Sequence, residues 1–347
     1  LHLEVKKSSR LEVLQWILEK ARELKSALII SGDLYNSGYD AMNLFGTVRD
    51  MLSSFQDVTI FILPGNRDED SFINGVDYGD NVNLFNEIPF KEVDFNGIKL
   101  VGVPYQTNLS ISKAVDGLKR SGLSIFLVHG TFFHDDTGFV RQEMKRRDAG
   151  YFPFYLDDIV DKNIVYVASG HFHSNFAVFN SGSTNVCYPG TPVSMSEMET
   201  GVRKIAVVVI DTESGELQLS ECPVEVGIYK LRKEFCVFPG NEADTMKAVV
   251  KYLTDNRNNR VDVKIKVSGF IKTNSTRLNA VIEKIDTKFR DDFSRLVITN
   301  STLSYQSLID NHSLAKEFIN RLENYDIDAT IRNRAVELGL KALDSVL

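Results

Sequence analysis

The stretch Ile164-Val165-Tyr166-Val167-Ala168-Ser169-Gly170-His171-Phe172-His173 decides the reading of this chain. Its apolar first half reads as a buried strand, and the glycine lets the chain turn sharply at the strand's end. Two imidazoles then follow at i and i+2. On an extended segment those positions share one side, so their nitrogens can converge on a metal centre. Working outward, the same design recurs. Ile125-Phe126-Leu127-Val128 closes on His129, Ala27 to Ser31 runs into Gly32-Asp33, and Val58 to Leu63 runs into Pro64-Gly65-Asn66. His2 lies between Leu1 and Leu3, in a chain that has only six histidines. Taken singly, each of these is an ordinary turn, cap or loop residue. Taken together, they are oxygen and nitrogen donors at successive strand termini, which is how an α/β protein gathers ligands along one sheet edge.

The order His, Gly-Asp, Gly-Asn, His-Gly, Gly-His-x-His resembles the calcineurin-like metallophosphoesterase superfamily. Within it, Gly32-Asp33-Leu34-Tyr35 and Tyr188-Pro189-Gly190-Thr191-Pro192 are similar to motifs of the SbcD-type DNA repair nucleases. The run from Leu314 to Leu343 also resembles the tail of bacterial SbcD-like exonucleases. There are two departures. Leu1-His2-Leu3 resembles the end of a D-L-H-L motif, so an aspartate and its strand are expected ahead of it, and without that aspartate the first ion is expected to be held weakly. The motif G-N-H-D reads Gly65-Asn66-Arg67-Asp68, with arginine in place of the histidine that assists the leaving group.

The resemblance implies an α/β (α+β) fold: a two-sheet calcineurin-like sandwich over residues 1–222, a small β-α-β capping domain over 223–275, and C-terminal helices over 276–347. It also implies a metal-dependent DNA exonuclease or endonuclease that acts in repair with an SbcC-like coiled-coil ATPase, with the chain acting alone or as a homodimer. The cofactors would be two divalent metal ions, by preference Mn2+. His2, Asp33 and His173 would hold one, and Asp33, Asn66, His129 and His171 the other, with Asp33 shared. Arg67 and Asp68 would be catalytic. Two alternatives stand beside this reading: a DNA-binding or ATPase-partner scaffold of weakened chemistry, and a nucleotide phosphodiesterase of the same superfamily.

The chemistry fits those residue types. Phosphodiester hydrolysis needs an activated water and neutralised phosphate charge, and two divalent ions supply both. A carboxylate suits the shared position because it has two oxygens. Imidazole, carboxylate and amide donors without thiolates suit manganese better than structural zinc. Arginine is always charged, so Arg67 can grip a phosphate but cannot act as a general acid. His134, followed by Asp135 and Asp136, is an alternative acid.

Composition is that of a globular protein of 347 residues, 43% hydrophobic and 25% charged. No apolar stretch approaches a membrane span. Three cysteines, Cys187, Cys222 and Cys236, form no zinc spacing and suit a reducing cytoplasm. The net charge of −7 argues against a nonspecific coat on nucleic acid. Local contacts to DNA would come from Arg141, Lys145, Arg146 and Arg147, with a second basic cluster at Lys230, Arg232 and Lys233.

Patterning predicts a helix from a capping box, Ser9 to Glu12, with Leu11, Leu14, Leu18, Ala21 and Leu24 on one face. Further strands are predicted at 99–103, 124–128, 164–168, 176–180, 186–188 and 204–211, the last turning through Thr212–Glu216 into Leu217-Gln218-Leu219. Beyond Cys222-Pro223, Tyr229–Phe238, Glu242–Thr254 and Val261–Val267 predict β-α-β. Helices follow at 278–289, 313–325 and 328–345. Apolar Leu314, Phe318, Ile319 and Leu322 share a face that packs internally or docks the ATPase.

Overall fold

The computed structural model describes residues 1–72, 76–106, 111–115, 117–118, 122–133, 152–159, 162–173, 176–272, 274–311, 313–328, 331–332, 335–336, 338–339 and 342. The chain is mixed α/β and divides into two compact units, Leu1–Gly227 and Ile228–Leu347. The division falls five residues beyond the change of pattern read at Cys222-Pro223, because β13, defined below, runs to Pro223 and Val224 and Val226 still pack in the first core.

In the first unit, α1 (Ser9–Glu23) buries Val13, Leu14, Ile17, Leu18 and Ala21, a helical stripe. The capping box is not formed. Ser8 is the N-cap and is already in the right-handed helical region (φ −54°, ψ −31°), whereas a capping side chain reaches back only from an extended residue. α2 (Gly38–Ser53), for which no helix was predicted, does have that geometry: Ser37 is extended and its hydroxyl accepts from Asp40 N–H at 3.2 Å.

These helices flank a parallel sheet of β1 (Leu28–Ser31), β2 (Ile60–Leu63) and β3 (Val82–Leu84), in that order. β2 is buried at every residue, as a central parallel strand covered on both faces must be. Next come β4 (Lys91–Phe95), β5 (Ile98–Val103), β6 (Ser124–His129), β7 (Thr131–Phe133), β8 (Pro153–Tyr155), β9 (Ile164–Gly170), β10 (Ala177–Ser181) and β11 (Thr184–Tyr188). Six of them form a second sheet of order β10-β11-β9-β6-β5-β4, parallel at its centre and antiparallel at both edges. β7 and β8 pair with each other. β12 (Lys204–Ile210) and β13 (Leu217–Pro223) form the hairpin read from the sequence, with Ile210 opposite Leu217. Phe61, Leu63 and Phe85 share one core cluster with Leu100, Leu127, Tyr166, Ala168 and Cys187 of the second sheet. β1, β2, β6 and β9 therefore end together, with β1 packed on β6 and β9.

In the second unit, β14 (Tyr229–Val237), the helix Glu242–Asp255 and β15 (Asn258–Ile271) give the expected β-α-β, with the strands parallel. Val261, Val263, Ile265 and Val267 are fully buried while Asp262, Lys264 and Lys266 alternate with them. The helix Ser275–Phe289 then leads to β16 (Phe293–Ser304), a third parallel strand that the sequence reading did not place. More than half of it is polar, so it lacks the apolar run that marked the others. The sheet thus extends past residue 275, into the segment expected to be helical. Helices Tyr305–Asn311 and Ser313–Glu323 follow. Ile319 is buried beside Ala315 and Phe270, whereas Leu314 is exposed. Among the described residues no helix is long and apolar enough to cross a membrane, and the three cysteines are free.

Candidate metal centre

All six expected ligands lie in the first unit, at the shared end of β1, β2, β6 and β9 and at the N-terminal side of the Leu3–Tyr35 bridge. Glycine permits this convergence. A Cβ on Gly170 would stand 1.7 Å from Ser31 O and 2.7 Å from His129 Nδ1, and one on Gly65 would stand 2.4 Å from Asp33 Oδ1. His2, Asp33 and His171 have φ of 51°, 53° and 98°, a left-handed conformation that non-glycine residues adopt at a cost and that clusters at functional sites. The turn at His171 also corrects the i, i+2 argument. β9 ends at Gly170, so the two imidazoles do not continue one extended segment. His171 meets His129 edge-on with ring centroids 5.3 Å apart, while His173 meets His2 at 4.6 Å.

Asp33 stands between these two groups. Its Oδ2 is 3.6 Å from His2 Nε2 and 3.5 Å from His129 Nε2, and its Oδ1 accepts the Arg67 N–H at 2.9 Å. On one side, His2 Nε2 lies 3.0 Å from His173 Nε2. The donor atoms of His2, Asp33 and His173 all lie within 4.8 Å of one another. On the other side, His129 Nε2 is 3.0 Å from Asn66 Oδ1.

The chemistry of these donors fits a cation. His129 Nδ1 is 2.9 Å from Ser31 O and must donate to that carbonyl. A neutral ring then has only a lone pair at Nε2, which faces the carbonyl oxygen of Asn66 and the carboxylate of Asp33. Acceptors gathered in this way repel one another unless a positive ion lies among them. The rings are indeed held neutral. Burial, then the neighbouring positive charges, lowers His2; burial lowers His129 against the opposing pull of Asp33 and Ser31 O; and burial and His129 bring His171 down to about 4. Neutral imidazole is the metal-binding form.

Asp68, expected in the catalytic pair with Arg67, is held between two loops. It is 1% exposed, its Oδ1 accepts Gly65 N–H at 2.8 Å and its Oδ2 accepts Tyr35 N–H at 3.0 Å. Both oxygens are thus taken up in stitching the Asp33 loop to the Asn66 loop. Burial pushes its carboxyl up to about 7 against those two N–H donors. Arg67 is exposed at the rim. Arg141, Lys145, Arg146 and Arg147, with His134, Asp135 and Asp136, lie outside the described residues.

Sequence reasoning missed the supporting residues. Arg10, 5% exposed, donates to His2 O and pairs with Glu4 at 3.3 Å. Glu199 and Arg203 stand behind His173. Neither carried a local signal, apart from the Tyr188–Pro192 turn that leads to the second pair. A cavity of about 590 Å³ adjoins the centre, lined by successive residues of β1 and of β12, so the edges of both strands front it.

The class that fold and site define is a mixed α/β protein with a candidate metal centre at the carboxyl ends of its parallel strands. No family model matches the chain, and no curated protein matches it.

Proposed function

We propose that this protein is a metal-dependent phosphodiesterase acting on DNA, of the SbcD type, and that residues 1–227 form the two-sheet sandwich of the calcineurin-like metallophosphoesterases. The observation that carries the reading is the position of Asp33 Oδ2, 3.6 Å from one histidine nitrogen and 3.5 Å from another that belong to separate groups. His2, Asp33 and His173 would hold one divalent ion, and Asp33, Asn66, His129 and His171 the other. Manganese suits this nitrogen and oxygen set. When bound, such a pair neutralises phosphate charge and lowers the pKa of water. The chain's own contribution is placement: Asp68 fixes the two loops, and the exposed guanidinium of Arg67 binds a phosphate oxygen. The second unit would serve as capping domain, and the helices after Ser304 would dock an SbcC-like ATPase in the cytoplasm, with the chain acting alone or as a homodimer.

The test is cleavage of linear DNA and of a small phosphodiester, with and without manganese, by the wild type and by Asp33→Asn. Metal-dependent cleavage of DNA that the variant loses is the expected result. Manganese binding with no cleavage of either substrate overturns the nuclease reading. Arg67 favours a second reading, in which that outcome marks a DNA-binding scaffold, because a permanently charged side chain stands where a proton donor is needed. Turnover of the small diester alone would mark a nucleotide phosphodiesterase.

A further inference from the structure

Behind His173 lie two buried charged residues that the ligand scheme leaves unused. Glu199 and Arg203 are 6% and 5% exposed. Arg203 donates through Nε to Thr191 O at 2.7 Å and through its terminal nitrogen to His173 O, which also accepts Thr191 N–H at 3.3 Å. The backbone of His173 is therefore clamped. Glu199 addresses the ring instead. Its Oε2 accepts Met195 N–H at 2.6 Å and its Oε1 stands 3.4 Å from His173 Nδ1. At the opposite corner of the ring, Nε2 faces His2 Nε2 and the Asp33 side of the centre.

A carboxylate removed from water is costly unless something pairs with it. Oε2 has the Met195 N–H and the Thr191 hydroxyl, the Arg203 charge acts on the group as well, and Oε1 has the imidazole edge. A carboxylate can only accept, so it favours a ring proton there, at Nδ1, and a neutral ring then carries its lone pair at Nε2. On the other side of Asp33, Ser31 O imposes the same tautomer on His129 with a backbone carbonyl. A carboxylate does this with a full negative charge. It also makes the imidazole a stronger donor to a cation and offsets charge the cation brings.

We propose that Glu199 is a positioning residue that holds His173 as the Nδ1–H tautomer and so sets the metal affinity of the His2–His173 side without setting that of the His129 side. This rests on the metal reading of His173. The test uses the whole chain with nitrogen-15 in its histidines. In the metal-free wild type the His173 ring is expected to show Nδ1 protonated and Nε2 bare. In Glu199→Gln, which keeps an oxygen for Met195 N–H but loses the charge, the two tautomers are expected to mix. One of the two manganese ions should bind about 10- to 100-fold more weakly in calorimetry while the other changes by less than about threefold.

A wild-type His173 protonated at Nε2 overturns the proposal, and that measurement does not depend on the variant folding. Unchanged affinity for both ions in a folded Glu199→Gln also overturns it. Equal loss of both ions with a lowered melting temperature would make Glu199 a residue of the fold and overturn its specific role. A wild type that binds no manganese would instead defeat the metal reading, and the ring tautomer would still decide whether Glu199 orients His173.

Discussion

The two sides of Asp33 are finished to different degrees. On one side His129 is 1% exposed, its Nδ1 is tied to Ser31 O at 2.9 Å, and Gly32 and Gly170 pack so closely on the ring that a single added carbon would collide with it. On the other side, His2 Nδ1 is buried with no hydrogen-bond partner among the described residues, and the His173 side chain is 31% exposed with its carboxylate partner at 3.4 Å. Rings that are already fixed lose less freedom when an ion arrives. The His129 side is therefore expected to take the first manganese ion and the His2 side the second.

The comparison breaks most completely at Asp33, the residue both sides share. Asp33→Ala should weaken both ions by more than about 100-fold, exceeding what loss of a supporting residue does. Manganese calorimetry checks this, and loss of one ion alone would place Asp33 on a single side. Close packing around His129 comes next. Gly170→Ala drives a Cβ to within 1.7 Å of Ser31 O, and such overpacking should cost about 3 kcal/mol in urea unfolding. Gly182→Ala meets open space and has only its φ of 58° to oppose it, so about 1 kcal/mol is expected. Equal losses at the two glycines would contradict the claim that His129 is tightly held.

Arg67 sharpens the comparison between cleavage and mere binding. An added general acid is commonly worth 10²–10⁴-fold at roughly neutral pH. Allowing for imperfect placement, Arg67→His should raise kcat by about tenfold on DNA and hardly at all on a diester with a good leaving group. Equal rates on DNA would show that no proton donor is needed at this position.

The smallest effect concerns pH. Burial holds His171 down to about 4 in the folded chain, against 6.5 for the ordinary group. Between those values the unfolded chain carries the extra proton, so stability rises with pH by about 1.4 kcal/mol per unit and is lost on acidification. The lowered His2 and His129 act in the same direction. Asp68, raised to about 7, acts in the opposite one, because the folded chain keeps a proton that the unfolded chain has released above 3.8. In metal-free protein, His171→Asn should therefore flatten the fall in stability between pH 6.5 and 4.5 by about that slope. Melting curves across this range with an unchanged slope would contradict the burial of that ring.

What was legible in the sequence was local. An apolar run, a glycine or Pro-Gly and a donor within ten residues announce a strand and its turn, and so β1, β2, β6 and β9 and the candidate donors Asp33, Asn66, His129, His171 and His173 could be read directly, whereas His2 rested on the order of the motifs alone. The capping box failed because the same four residues fit a helix entered from a turn, and the backbone angle of Ser8 depends on what precedes it. β16 was hidden because a strand with one wet face and many Ser, Thr and Asn residues looks like loop until its partner, β15, is in place. Support for the rings was hidden for a different reason. Ser31 O is a backbone atom with no signature, Glu199 is 26 residues from the ring it faces, and only tertiary packing brings either to a histidine.

On this reading Asp33 Oδ2, 3.6 Å from His2 Nε2 and 3.5 Å from His129 Nε2, lies between two cation sites. Anomalous diffraction from a crystal soaked in manganese chloride tests it most directly. Two peaks about 3.5–4 Å apart are expected, the separation usual for paired catalytic metals, one beside His2 and His173 and the other beside Asn66, His129 and His171, with Asp33 Oδ2 between them. A single peak that Asp33 does not touch, or none at any of these histidines, would contradict it.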